Sequence, residues 1–159
     1  MNTMQKFFPE NDLSFLGRMD TTGLTRSQKQ KRYKLMRMAV GIFDVRLAYG
    51  YHKDWTINVA EAKWVRRVFD LMRSGCTAQK VAEIVSQESG EKWSSSRVRN
   101  MIRNEIYAGD IHANRMITTE SGRRVKNMGA EPQYYQKDHH VPIITRKDFE
   151  KLQRKGAVK

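Results

Sequence analysis

The stretch Cys76 to Tyr107, CTAQKVAEIVSQESGEKWSSSRVRNMIRNEIY, constrains this chain more than any other. It predicts a short helix, a polar turn and a second helix. Thr77 can cap the first helix, Val81, Ile84 and Val85 form its inner face, and Gly90 closes it. Trp93 leads into the second, with Ser94 or Ser95 as the cap. At about 100° per residue, Val98, Met101 and Ile102 centre an apolar stripe. Ser96, Asn100 and Arg103 fall opposite that stripe, Arg99 falls at its edge, and no acidic residue stands between Glu91 and Glu105.

A further helix precedes this pair. Asn58 can cap it while Glu61 reaches back from the third position, a capping-box spacing. Val65, Val68, Phe69 and Met72 follow at i, i+3, i+4, i+7, and Gly75 ends the run. Three short amphipathic helices with such links suit a small bundle of helix-turn-helix type.

The remainder predicts lighter structure. Met1 to Gly23 lacks a sustained period and reads as irregular, with a short helix around Leu13–Met19. Thr25 to Met38 carries Arg26, Lys29, Lys31, Arg32, Lys34 and Arg37 with no acid, and predicts a basic helix. Such a helix can lie beside a polyanion or serve as a solvated linker. Leu47 to Ile57 alternates aromatics with polar residues and fits a short strand or hairpin. Asp110 to Thr119 reads as a strand, Glu120-Ser121-Gly122 as a turn and Arg123 to Lys126 as a second strand. Asn127 to Gln133 reads as a flexible loop, Tyr134-Tyr135 and Val141 to Ile144 as strand. Thr145 caps a last helix with Asp148 in its first turn and Phe149 and Leu152 inward. The expected fold class is α+β: a three-helix core with short strands or a hairpin and a C-terminal helix.

Composition narrows the partners. The net charge is +13 over 159 residues. Residues 1–60 hold 10 basic and 5 acidic side chains, residues 61–110 hold 9 and 7, and residues 111–159 hold 11 and 5. The excess therefore lies on both flanks of the helical centre, as expected if the flanks grip phosphates. The other reading is a basic surface that serves only solubility. No run approaches the roughly 20 apolar residues of a membrane span, and the N-terminus lacks the apolar region of a secretory signal. A cytoplasmic, nucleoid-associated protein is expected. One cysteine, Cys76, excludes an internal disulfide and a cysteine-rich zinc site.

Several motifs then fall in order: Gly50-Tyr51; Ala62, Val65, Val68-Phe69 and Gly75; Val81-Ala82 and Ile84-Val85. Trp93, Val98, Ile102, Asn104, Tyr107 and Gly109 follow, then His140, Pro142, Ile143-Ile144 and Phe149. Spanning Ala48 to Gln153, they resemble the recombinase domain of the large serine recombinases, relatives of phage integrases and transposon resolvases. Two positions depart from that pattern. Tyr49 stands where proline usually precedes Gly-Tyr, and Glu105 follows Asn104 where proline is usual, which lets the third helix run longer. Family members begin with a catalytic domain bearing a nucleophilic serine among arginines, and nothing before Gly41 resembles it. They usually continue into a zinc ribbon and a coiled coil. The resemblance implies an N-terminal segment over residues 1–40 with a linker helix at about 25–38, then a DNA-binding domain over 41–159.

The chemistry expected is recognition without catalysis. Ser94-Ser95-Ser96 beside Arg97 and Arg99 resembles a nucleophile among guanidiniums, but serines at a helix start more simply satisfy orphan amides. His139-His140 in a strand would point to opposite faces and share no metal ion. His52 and His112 are isolated, so no metal and no cofactor is expected. Ser96, Arg97, Arg99, Asn100 and Arg103 are the expected DNA contacts of the third helix, Arg and Asn being suited to bidentate pairing with purines. Arg26, Lys29 and Arg32, with Arg115, Arg123, Arg124 and Lys126 of the hairpin, would add backbone contacts. Tyr51, Trp64, Phe69, Trp93 and Tyr107 are expected in the core. The partners implied are double-stranded DNA and other recombinase subunits, with no membrane and no small-molecule substrate. A stand-alone DNA-binding regulator or accessory factor, and a structured-RNA binder, remain as alternative readings.

Overall fold

Asn58 starts the longest helix among the described residues in its expected place, and the rest of the architecture follows from it. The computed structural model describes residues 22–43, 46–119 and 121–154. The short helix expected around Leu13–Met19 lies outside them. The chain divides into two compact units, Arg46–Ile111 with Lys137–Lys159, and Met1–Val45 with His112–Gln136. The fold is mixed α+β: five α-helices and two small two-stranded sheets among the described residues. None of those helices is long and apolar enough to cross a membrane.

In the first unit, α2 spans Val59–Arg73, α3 Ala78–Ser89, α4 Ser95–Ile102 and α5 Arg146–Arg154. The expected caps close their first turns. Asn58 accepts from Glu61 N, Thr77 from Lys80 N, Ser94 from Arg97 N and Thr145 from Asp148 N. Each helix turns its apolar stripe to one core. Val65, Val68, Phe69 and Met72 of α2 meet Val81 and Val85 of α3, Val98, Met101 and Ile102 of α4, and Phe149 and Leu152 of α5. A fully buried Val or Leu side chain contributes about 1.5–3 kcal/mol by leaving water. Tyr51, Trp93 and Tyr107 join this core as expected, while Trp64 is half-buried against it.

The structure departs from sequence expectation in several places. Glu61 does not complete a capping box: its carboxylate accepts from Gly50 N at 2.7 Å, and Asn58 N donates to Gly50 O. Gly50, at φ +98°, brings its backbone close to α2, and a Cβ there would meet Ile143 Cδ1 at 2.8 Å. The expected strand at Leu47 to Ile57 shrinks to one bridge, Tyr51 to Ile57. The third helix does not run longer at Glu105. Asn104 leaves helical geometry (φ −92°, ψ 112°) and its side chain accepts from Ile106 N, starting a separate 3-10 helix, Glu105–Ala108.

Val141 to Ile144 forms no strand. Pro142 has no N–H to donate, Ile143 N donates to the Tyr51 hydroxyl and Ile144 N to Tyr107 O. That hydroxyl in turn lies 3.1 Å from Val141 O. Burial pushes its pKa up to about 12, so Tyr51 stays a donor at neutral pH.

The second unit begins with α1, Arg26–Ala39, where Thr25 and Gln28 form a complete capping box. The single strand expected over Asp110 to Thr119 is two. β1, Ile111–Ala113, pairs with β4, Tyr134–Gln136, whereas β2, Met116–Thr118, pairs antiparallel with β3, Arg124–Lys126. Asn114, at φ 59°, breaks the run. The loop expected to be flexible is built on Asn127, which is 2% exposed. Its amide donates to Asn114 O and Glu131 O and accepts from Gly129 N and Glu131 N.

Candidate nucleic-acid interface

The α3–turn–α4 segment is seated from within. Ser86 Oγ donates to Ala82 O and accepts from Trp93 N at 2.9 Å, tying the turn to the end of α3. Gly90, at φ 73°, reverses the chain, and Ser89 Oγ accepts from Glu91 N. At the far end of α4, Gln153 Nε2 donates to Ile102 O. With Val98, Met101 and Ile102 buried, the helix cannot roll without opening the core.

Its outer face is therefore determined. Ser96, Arg99, Asn100 and Arg103 are exposed there, as the period predicts. Among the described residues no acidic side chain pairs with Arg99. The eight residues of α4 make a rod about 12 Å long, comparable to the roughly 12 Å width of a B-DNA major groove. Arg97 differs from its neighbours. It is half-buried, lies over the Trp93 and Tyr49 rings and pairs with Glu91. The Glu91 carboxylate is thereby engaged. Burial and the Glu91 carboxylate raise the pKa of Tyr49, whose hydroxyl donates to Glu91.

The remaining expected contacts belong to the other unit. Arg26, Lys29 and Arg32 are exposed on α1, where Arg26 and Lys29 share a face with Tyr33, Lys34 and Arg37. Lys31 pairs with Glu131, whose carboxyl is held below its usual range by that ammonium. Arg124 and Lys126 stand on one exposed face of β3 opposite Thr118 and Met116, with Val125 and Ile117 turned the other way. Arg115 and Arg123 are exposed just outside the paired strands.

Ser94 is a cap and Ser95 is half-buried, so neither stands as an activated hydroxyl. His139 and His140 do not point apart as expected of strand neighbours. Their Nδ1 atoms lie 3.2 Å from each other, and both rings pack on Trp55. Among the described residues no three His, Cys, Asp or Glu side chains gather as metal ligands.

The Recombinase family model matches residues 60–157, which include α3, α4, α5 and all of α2 but its first residue. The chain belongs to the Recombinase family. Two solved structures share the fold of this recombinase domain. One, of an LSR–DNA complex, aligns with a TM-score of 0.51 at 20% identity, covering 79% of this chain and 36% of that one. The other concerns sequence requirements of the Listeria innocua prophage attP site. It aligns with a TM-score of 0.52 at 20% identity, covering 79% of this chain and 50% of that one. The recombinase domain and its flanks thus span about a third to a half of the chains they match. No curated protein matches the sequence.

Sequence reasoning missed the ion pair between Asp110 and Arg146. Asp110, 2% exposed, is gripped by Arg146 of α5. No local pattern announces it, because the partners are 36 positions apart.

Proposed function

We propose that this recombinase domain binds double-stranded DNA sequence-specifically, recognising an attachment site for a serine site-specific recombinase. The observation that carries the reading is the polarity of α4. A buried apolar stripe fixes its rotation, and Ser96, Arg99, Asn100 and Arg103 project to solvent from the other side. Arg99 and Arg103 suit guanine N7 and O6, and Asn100 suits adenine N6 and N7, each good bidentate pair giving about 1–3 kcal/mol of discrimination. Exposed cations of α1 and of the β2–β3 hairpin would add phosphate contacts that carry affinity without sequence information. The structures of similar fold support the reading, since one holds DNA and the other concerns an attP site. Strand exchange would be supplied by a catalytic domain with a nucleophilic serine.

Selection of duplexes from a random pool, followed by gel shift at two salt concentrations, tests the proposal. One sequence class should emerge. Its log affinity should fall with log salt at a slope of about −0.9 per phosphate neutralised. Binding that ignores sequence, or ignores salt, would overturn it. A structured RNA that competes better than the selected duplex would favour the RNA reading instead.

A further inference from the structure

A helix as short as α4 can present side chains at a constant angle only if its first turn is held, and four side chains outside the apolar stripe hold it. The Arg97 guanidinium lies 3.7 Å from the Trp93 ring centroid and 4.4 Å from that of Tyr49. The two rings meet edge to face with centroids 5.5 Å apart. Glu91 completes the group, pairing with Arg97 at 3.6 Å and accepting the Tyr49 hydroxyl at 3.3 Å. Trp93 is itself buried and tied to α3 through Ser86.

A planar guanidinium lying over two rings and facing a carboxylate already has its charge and its flat faces engaged. We propose that Arg97 is a positioning residue. With Trp93, Tyr49 and Glu91 it sets the angle at which Ser96, Arg99, Asn100 and Arg103 are presented, and it takes no phosphate itself. The proposal rests on the reading of α4 as the helix that contacts bases. Tyr49 thereby supplies an aromatic face to Arg97 and a hydroxyl to Glu91.

The test uses the full chain, a duplex that this chain selects from a random pool, and an unselected duplex. Arg97→Lys keeps the charge but loses the planar stack. Both Arg97→Ala and Arg97→Lys should weaken the selected duplex roughly five- to tenfold, as loss of a partly desolvated cation–aromatic contact implies. The unselected duplex and the slope of log affinity against log salt should stay unchanged. Tyr49→Ala should act in the same direction, and combining it with Arg97→Ala should add little, because the partners act together. In free Arg97→Lys protein, amide exchange at positions 97 and 98, whose N–H groups are held by Ser94, should quicken while circular dichroism is retained.

One result overturns the proposal directly. Arg97→Lys binds like the parent, while Arg97→Ala weakens both duplexes and shortens the salt slope by about one phosphate, the signature of a backbone contact. The base-contacting reading of α4 is judged separately, by Arg99→Ala and Arg103→Ala. If those variants keep full discrimination, that reading falls. Amide exchange in the free protein then decides the positioning proposal by itself: quickened exchange upholds the holding of α4 by Arg97, and unchanged exchange overturns it.

Discussion

Arg146 grips Asp110 with both arms of its guanidinium, Nη1 to Oδ2 at 2.7 Å and Nη2 to Oδ1 at 2.6 Å. Asp138 N donates a third hydrogen bond to the same carboxylate at 3.0 Å. The pair joins the first residue of α5 to the segment that leaves the 3-10 helix behind α4. Nearby, Gly109 O accepts from His139 N at 2.8 Å, and a Cβ on Gly109 would stand 2.7 Å from His140 O. The segments after the 3-10 helix and before α5 are thus tied together by the Asp110–Arg146 pair and one close backbone approach.

Removing the cation should be severe. Arg146→Ala takes the paired cation from a buried carboxylate, and about 3 kcal/mol of stability should be lost. That is the lower end of the usual range for breaking a buried pair, because Arg146 keeps some contact with water. Urea unfolding measures it. Adding Asp110→Ala to Arg146→Ala should recover part of the loss, and failure to recover any would mean the pair matters only through packing.

Asn127→Ala should loosen the loop of the second unit. Its amide satisfies two carbonyls and two N–H groups that the substitution leaves unmet, at a cost of about 1–3 kcal/mol for a buried unsatisfied group. Amide exchange at Gly129 and Glu131 should accelerate, while the amides of α2 and α3 keep their protection.

The two sides of α4 should separate stability from binding. Ile102→Ala removes a fully buried side chain and should cost about 2–5 kcal/mol in a thermal or urea melt. Arg99→Ala, on the exposed side, should stay within about 0.5 kcal/mol of the parent in the same melt. It should nonetheless lose discrimination between selected and random duplexes by roughly tenfold. Equal destabilisation by both would contradict the orientation of the helix.

Acidification should weaken the fold through His139 and His140. Burial depresses both pKa values, and for His139 the neighbouring His140 adds to the effect. His140 Nε2 donates to Ile106 O at 2.8 Å, leaving Nδ1 to accept from His139. The unfolded chain binds these protons near pH 6.5, while the folded chain resists until lower pH. Their contribution is therefore complete above about pH 6.5 and is lost as pH falls toward the depressed folded values. Urea midpoints at pH 7.5, 6 and 5 should decline, and the decline should flatten when both histidines are replaced by glutamine.

Local chemistry was legible along the chain. Asn58, Thr77 and Thr145 were readable as caps, and Ser94 as one of two candidates beside Ser95, because a cap and the amide it satisfies are three positions apart. The stripes of α2, α3 and α4 were readable because burial repeats with the helical turn. The exposed face of α4 followed from the same period. The strands were less legible. Asp110 to Thr119 has a loose alternation that does not reveal the left-handed Asn114, and Val141 to Ile144 looks like strand until its N–H groups are found elsewhere. Asn127 opens a segment that holds Gly129 and Pro132, a composition usual for a flexible loop, and its burial depends on contacts such as that with Asn114, 13 positions away.

What the sequence by itself determined was the order of helices α1 to α5, the residues that start α2, α3 and α5, and the apolar faces of α2, α3, α4 and α5. These depend on residues within about four positions of one another, so composition and spacing specify them. The tertiary structure alone decided that Glu61 serves Gly50 instead of its own helix, that Arg97 lies over Tyr49, and that Asp110 meets Arg146. Each of these pairs forms only when the core brings distant segments together, and a polar side chain shut away from water takes whichever partner that packing leaves within reach.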